Sequence, residues 1–187
     1  MSYFCPGLSG YYEGMFLSPF QVVDQLPIRP GMRVADFGSG NGQYSLLLAE
    51  RLRGEGSVYA FDLNEEGVES LARERLRKNI ADLYTMCVDL NSHLPLKDAM
   101  LHCALISNTM YALQERDIFL AELKRVLADG GTVYFTDWAS SFKNMGPRDE
   151  EVITPSEAVR IFEQNGFTVG PMLPAGSHHY AFIATKR

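Results

Sequence analysis

Two carboxylates and one glycine loop carry the chemistry that is easiest to read in this sequence. The segment Val34-Ala35-Asp36-Phe37-Gly38-Ser39-Gly40-Asn41-Gly42 sets an acid two residues before three alternating glycines. Glycines at that density let backbone pack closely against a ligand, and the helix that follows presents a positive N-terminus. In dinucleotide sites the spacing is Gly-x-Gly-x-x-Gly and the guest is a pyrophosphate. Here it is Gly-x-Gly-x-Gly, and Asp36 would hold a second negative charge against that guest. Like charges about 4 Å apart cost roughly 1 to 4 kcal/mol between bulk water and a near-surface dielectric. The loop therefore suits a nucleoside that carries cations where a dinucleotide carries phosphates. Asp62 ends the run Val58-Tyr59-Ala60-Phe61-Asp62 and lies twenty residues beyond Gly42. At that spacing an acid accepts from ribose hydroxyls.

The elements that must hold these residues follow from periodicity and punctuation. Ser18-Pro19 supplies an N-cap and first-turn proline for a short helix ending near Leu26. Strands are predicted over 32–37, 57–62, 84–88, 101–107 and 132–136. Helices are predicted over 43–53, from 65 through the run Ser70 to Asn79, and over 114–127 before the turn Asp129-Gly130-Gly131. Thr154-Pro155-Ser156-Glu157 opens a further helix that ends at Asn165-Gly166, and strands over 168–172 and 179–184 flank the turn Leu173-Pro174-Ala175-Gly176. Alternating strand and helix requires parallel strands joined by crossovers, whereas the last two strands are close enough in sequence to pair antiparallel. The expected fold is α/β: a doubly wound, mostly parallel, seven-stranded Rossmann-like sheet with a C-terminal antiparallel hairpin. Ligands in such sheets bind beyond the carboxyl ends of the strands at the switch point, where the glycine loop falls. Residues 1–17 form an N-terminal arm or lid, in which Tyr11, Tyr12 and Phe16 could cover the site, and residues 18–187 form one domain.

Composition narrows the partners. A chain of 187 residues with 46% hydrophobic and 21% charged content can bury a core without metals or disulfides. The net charge of -6 gives no footprint for a nucleic-acid backbone. Cys5, Cys87 and Cys103 follow no zinc or disulfide spacing, so no metal is expected and a reducing compartment is. The N-terminus lacks the pattern of a secretory signal, and no apolar run reaches membrane-spanning length. A cytoplasmic protein with no membrane span is the expectation; the oligomeric state is left open.

A nucleoside with an ammonium and a sulfonium and no phosphate is S-adenosylmethionine, and at this point the sequence resembles the class I S-adenosylmethionine-dependent methyltransferases. The resemblance covers roughly residues 18 to 187. VADFGSGNG looks like the family's first motif, which implies Asp36 near the methionine ammonium and Gly38, Ser39, Gly40, Asn41 and Gly42 beneath the cofactor. By the same resemblance Asp62 holds the ribose, Leu63 lies along the adenine, Asp89 takes the adenine amino group and Leu90 packs on the ring. The segment Ile106-Ser107-Asn108-Thr109-Met110-Tyr111 is similar to the stretch lining the methionine and the substrate mouth, with Asn108 a cofactor contact. Within the family it is most similar to the small ubiquinone/menaquinone C-methyltransferase-like enzymes.

Departures from the pattern limit the chemistry. Ser107-Asn108 stands where many relatives carry an acid, and Ser-Asn-Thr-Met-Tyr lacks the prolines of amide N-methyltransferases. Asp89 to Leu101 leaves room for little more than one helical turn between the third and fourth strands, and no substrate domain is inserted. The implied reaction is in-line displacement of the sulfonium methyl, leaving S-adenosylhomocysteine, with alignment and water exclusion as the protein's main contributions. A base is needed only for an acceptor that carries a proton; Tyr111, Asp137, His178 and His179 are the candidates. The two histidines alternate faces if they lie on a strand and so cannot share one metal. The run Arg73-Glu74-Arg75 with Arg77 and Lys78 reads as a solvated helix face. A small-molecule acceptor is expected; a protein or RNA acceptor, a non-catalytic cofactor-binding protein and a nicotinamide dehydrogenase are the alternatives.

Overall fold

The computed structural model describes residues 18–142 and 146–187, so the expected arm 1–17, with Tyr11, Tyr12 and Phe16, lies outside the described residues. The first helix, α1 (Pro19–Gln25), starts as its sequence requires. Ser18 Oγ accepts from the Gln21 amide, and the Gln21 side chain accepts the Ser18 amide at 2.9 Å, a reciprocal cap. Then follow β1 (Arg33–Phe37), α2 (Gln43–Leu52), β2 (Ser57–Asp62), α3 (Glu65–Arg77) and β3 (Leu83–Cys87). The second half comprises β4 (Leu101–Ser107), a single 3-10 turn at Met110–Ala112, α4 (Arg116–Val126), β5 (Leu127–Trp138), α5 (Pro155–Gln164), β6 (Phe167–Leu173) and β7 (His179–Lys186).

The seven strands form one sheet in the order β3-β2-β1-β4-β5-β7-β6. The first five are mutually parallel and β7 runs antiparallel to both β5 and β6, which is the expected architecture. Strand order reverses between β1 and β4, so the loop after β1 opens into the crevice of a doubly wound sheet. Side chains alternate across the sheet, so each face has its own core. On one face Val34, Val58, Ala60, Cys103 and Leu105 meet Leu48, Leu52 and Leu71 of α2 and α3. On the other Phe37, Phe61, Ile106, Phe135 and Phe182 meet Phe119 and Leu123 of α4 and Phe162 of α5.

Beyond shifts of one or two residues at element ends, two segments depart from expectation. β5 begins at Leu127, directly after α4, because Leu127 pairs with Leu101 before the register shifts to Cys103 opposite Thr132. The turn at Gly130-Gly131 is thus a bulge inside a strand, held by Lys186 Nζ donating to the Leu127 carbonyl at 2.7 Å. The short link 88–100 contains no helix, where one turn had room. It is fastened to α4 instead: Arg125 donates to the carbonyls of Leu94 at 3.0 Å and Leu96 at 2.8 Å, while Glu122 accepts from the Leu94 amide at 2.8 Å. Arg125 and Glu122 also pair with each other at 2.7 Å, which holds the Glu122 carboxyl down at about 2. Among the described residues no helix is long and apolar enough to cross a membrane.

Candidate functional site

The loop from β1 to α2 is glycine-rich because its backbone demands it. Gly38, Gly40 and Gly42 all have positive φ, at 81°, 53° and 86°, where side chains other than asparagine are strained. Their surroundings differ. A Cβ on Gly38 would strike the Thr109 side chain and one on Gly42 the Leu71 side chain, whereas one on Gly40 would enter open space. Two of the glycines therefore serve close packing, and the third marks where a ligand can approach backbone. The Gly38 and Ser39 amides donate to the Phe61 carbonyl at 2.8 and 2.9 Å, tying the loop to the end of β2.

Asp36 is 1% exposed at the end of β1. Its Oδ2 accepts from Ser45 Oγ at 2.6 Å, while Oδ1 and the buried Ser39 Oγ have no hydrogen-bond partner among the described residues. Burial pushes its pKa from 3.8 up to about 7 against the Ser45 hydrogen bond, and the neighbouring Asp62 carboxylate adds to the rise. A half-satisfied acid in such a place is uncomfortable alone and suited to a cation. Asp62 closes β2 with both oxygens directed at backbone: Oδ2 accepts the Gly40 amide at 2.6 Å and Oδ1 the Asn64 amide at 2.8 Å. A carboxylate has about four acceptor positions, so two remain for hydroxyls. Leu63 beside it is 66% exposed.

Asp89 is exposed beyond β3, and its Oδ1 accepts from the amide and side chain of Asn91 at 2.9 and 2.8 Å. Leu90 is 5% exposed and packed in the core with Leu94 and Leu96, so the apolar surface available to a purine here belongs to Leu63. Asn41 is exposed on the glycine loop. Asn108 follows β4 at φ 53° with its side chain exposed and its amide bound to the Thr136 carbonyl at 3.0 Å. The fold thus gathers the ends of β1, β2, β3 and β4, and with them all the expected cofactor residues, along one end of the sheet.

The other candidates gather where β5 ends and β7 begins. Asp137 is 1% exposed and accepts from the Trp138 amide at 2.9 Å. The amides of Met110 and Tyr111, at the start of the 3-10 turn, and the Arg116 guanidinium favour its charge, yet burial prevails and raises its pKa to about 7. Tyr180, opposite Asp137 in the β5 and β7 pairing, donates to the Ile153 carbonyl at 2.8 Å. His179 faces Trp138 across the same pair, their rings 4.3 Å apart, and burial lowers its pKa to about 4. His178 packs instead on Phe142 at 4.1 Å, so the two histidines have different neighbours. Among the described residues no group of acids, histidines and cysteines could hold a metal ion. Tyr111 is half-buried, its phenol pKa raised by burial and by Asp137 and Glu151.

The methyltransferase domain family matches residues 28–166, most of the chain and all of the elements from β1 to α5. The chain belongs to this family. A ubiquinone/menaquinone biosynthesis C-methyltransferase UbiE of Stenotrophomonas maltophilia is 35% identical over 105 residues, 56% of this chain and 41% of that protein. The UbiE of Xanthomonas campestris is 36% identical over 108 residues and is covered to the same 41%. The match thus spans less than half the length of these curated relatives. A SAM dependent methyltransferase from Aquifex aeolicus is similar in structure with a TM-score of 0.85 and 28% identity, covering 95% of this chain and 94% of its own. The domain is of the class I methyltransferase fold, and the cofactor of that class is S-adenosylmethionine. The residues present fit that cofactor: an unpaired buried carboxyl oxygen for an ammonium, an open glycine for close backbone approach, and spare acceptor positions on Asp62 for a ribose.

Several residues that build the site had no individual role in the sequence reading, Thr109 being named only as part of the segment 106–111. Ser45, buried on α2, is the hydrogen-bond partner of Asp36. Thr109 donates to the carbonyls of Ser107 and Phe37 at 2.9 and 3.1 Å, joining the ends of β4 and β1. Gly67 lies in the first turn of α3, where an added Cβ would come 2.8 Å from the Gly40 carbonyl. Glycine costs a helix about 1 kcal/mol, so Gly67 was itself a signal of close approach. Arg116 supports the 3-10 turn, donating to the Met110 carbonyl at 3.0 Å.

Proposed function

We propose that the chain transfers a methyl group from S-adenosylmethionine to a small-molecule acceptor held over the ends of β4, β5 and β7. The observation that carries this reading is the buried Asp36 carboxyl with one oxygen unpaired beside an open glycine. S-adenosylmethionine supplies a methyl group already activated by a sulfonium charge. The Asp36 carboxylate would meet the ammonium, Gly40 and Ser39 would line the loop, and Asp62 would accept from the ribose. Leu63 and Asp89 would flank the adenine with the backbone of Leu90, and Asn108 would border the methionine.

For the acceptor, the four base candidates divide by environment. Asp137 is enclosed and engaged with backbone amides, which favours a positioning role for the segment 108–111. Burial lowers the His179 pKa, so its imidazole is neutral at neutral pH and only a weak base for an acceptor proton. Tyr111 keeps its proton and can donate a hydrogen bond to an acceptor oxygen. The rings of Trp138, Phe142, His178 and His179 favour a planar acceptor, in keeping with the C-methyltransferase names of the relatives.

Titration calorimetry with S-adenosylmethionine and with NADH tests the cofactor, with heat expected from the first alone. Incubation with methyl-labelled cofactor and size-fractionated cell extract tests the acceptor, with label expected in the small-molecule fraction. Label confined to protein or RNA would reject the acceptor class. Tight binding with no transfer to any fraction would mark a binding protein.

A further inference from the structure

The two edges of the sheet are protected unequally. At one edge, β6 shifts register against β7 between Val169 and Met172, and Pro171 falls in the irregularity, so that edge is blunted. The opposite edge, β3, reads Leu83-Tyr84-Thr85-Met86-Cys87, with neither proline, glycine nor charge. Asp82 accepts from the Val58 amide and Val88 donates to the Asp62 carbonyl, so residues 82 and 88 both turn their backbone groups toward β2. That direction alternates along a strand, which aims the N–H and C=O groups of Leu83, Thr85 and Cys87 at the open edge.

The missing crossover helix widens this opening. With no helix in 88–100, a groove of about 830 Å³ runs beside β3 under that link. Tyr84, 46% exposed, stacks on Tyr59 at 5.2 Å along it. The charges lining the groove are mainly cationic, and among the described residues those cations lack carboxylate partners. Arg33 donates to the Met100 carbonyl and approaches His102, and Arg75 donates to the carbonyls of Ile80 and Ala81 instead of lying on a solvated face. Lys97 has no ion pair among the described residues, and the one acid, Asp98, is bound to Arg125 at 2.7 Å. In a chain of net charge -6 this is a local basic patch around the groove beside an unpaired strand, with Arg33 reaching it from β1, Arg75 from α3 and Lys97 from the link.

We propose that the β3 edge takes an extended, acidic segment of a partner protein as one further strand. Main-chain hydrogen bonds to Leu83, Thr85 and Cys87 would give register, and acidic side chains would meet Arg33, Arg75 and Lys97. A second copy fits poorly, because pairing β3 with β3 would set two basic patches together and β6 is closed to it. Residues 1–17 carry a single charge, Glu13, and Ser18 lies in a different groove with Phe20, Leu46 and Ile80, so the arm does not match the patch.

The test is fluorescence anisotropy with two labelled synthetic peptides of about ten residues, one alternating valine and glutamate and one alternating valine and lysine, on the full chain. The acidic peptide is expected to bind with a Kd below about 1 mM, and the basic one at least tenfold more weakly. Lys97→Glu, on an exposed side chain, and Thr85→Pro, at an outward-facing amide, should each weaken the acidic peptide about tenfold with unchanged circular dichroism. Equal binding of both peptides, or binding by neither, overturns the proposal. So does a wild-type dimer in sedimentation that Thr85→Pro converts to monomer, because a second copy would then be the occupant.

Discussion

Replacing Asp36 by asparagine separates the cost of the buried acid from its use. The native-state pKa is about 7 against an ordinary 3.8, a rise of roughly 3 units at 1.36 kcal/mol each, so the ionised form burdens the fold by about 4 kcal/mol. A raised carboxyl binds more protons folded than unfolded, so stability falls as pH climbs from near 4 to near 7 and then levels. From about pH 5 to pH 8 that one group removes about 2.5 kcal/mol of unfolding free energy. Asp137, raised to the same value, removes a similar amount, and Glu122, lowered to about 2, acts only below this window. His179, lowered to about 4, works the other way and regains about 2 kcal/mol over the same window, so the clean quantity is the difference: Asp36→Asn should lose about 2.5 kcal/mol less stability than wild type between those pH values, by urea denaturation at each. The same change should weaken S-adenosylmethionine binding roughly tenfold or more near pH 8. Wild-type affinity should fall about tenfold per pH unit below 7, where the acid must first shed its proton, and the variant's should not. Parallel stability curves for the two proteins between pH 5 and 8 would refute the assignment of a strained carboxyl at this position.

The glycines give a second comparison: Gly38→Ala should cost about 2 to 3 kcal/mol in denaturant titrations through the clash with Thr109. Gly40→Ala, strained only in its backbone, should cost about 1 kcal/mol and yet reduce cofactor affinity at least tenfold by calorimetry. Arg125→Ala should lower unfolding free energy by about 3 kcal/mol and speed hydrogen exchange at the Leu94 amide, since the link 88–100 loses the side chain that holds it. His179→Ala should reduce methyl transfer about tenfold with the Kd for S-adenosylmethionine unchanged, if the acceptor loses a proton to that weakly basic ring; Asp137→Asn should instead alter KM for the acceptor and kcat together.

Much of this protein was readable before any coordinates. The alternation of β-branched runs with capped helices specified the seven strands and their hand of winding, since parallel neighbours need crossovers and a short turn does not permit one. VADFGSGNG declared its ligand class because backbone angles reserved for glycine and a carboxylate beside them are properties of residue type. Local caps at Ser18 and Thr154 were likewise legible, both being reciprocal side-chain and backbone bonds within four residues.

What the linear order could not state was which groups meet across it and how deeply each is enclosed. Asp36 reads the same as Asp89 in sequence, yet one is sealed beside Ser45 and the other lies in solvent. Leu90 sits in the core although its neighbour Asp89 does not, because the turn that the Ser92 amide closes on the Asp89 carbonyl folds Leu90 inward. The fastening of 88–100 by Arg125, the tie from Thr109 to Phe37, and the exposed basic edge at β3 all join segments tens of residues apart. Residue identity determined the elements and the kind of ligand. Burial and proximity, set only when distant segments pack, determined which carboxyls are strained and which surfaces remain open.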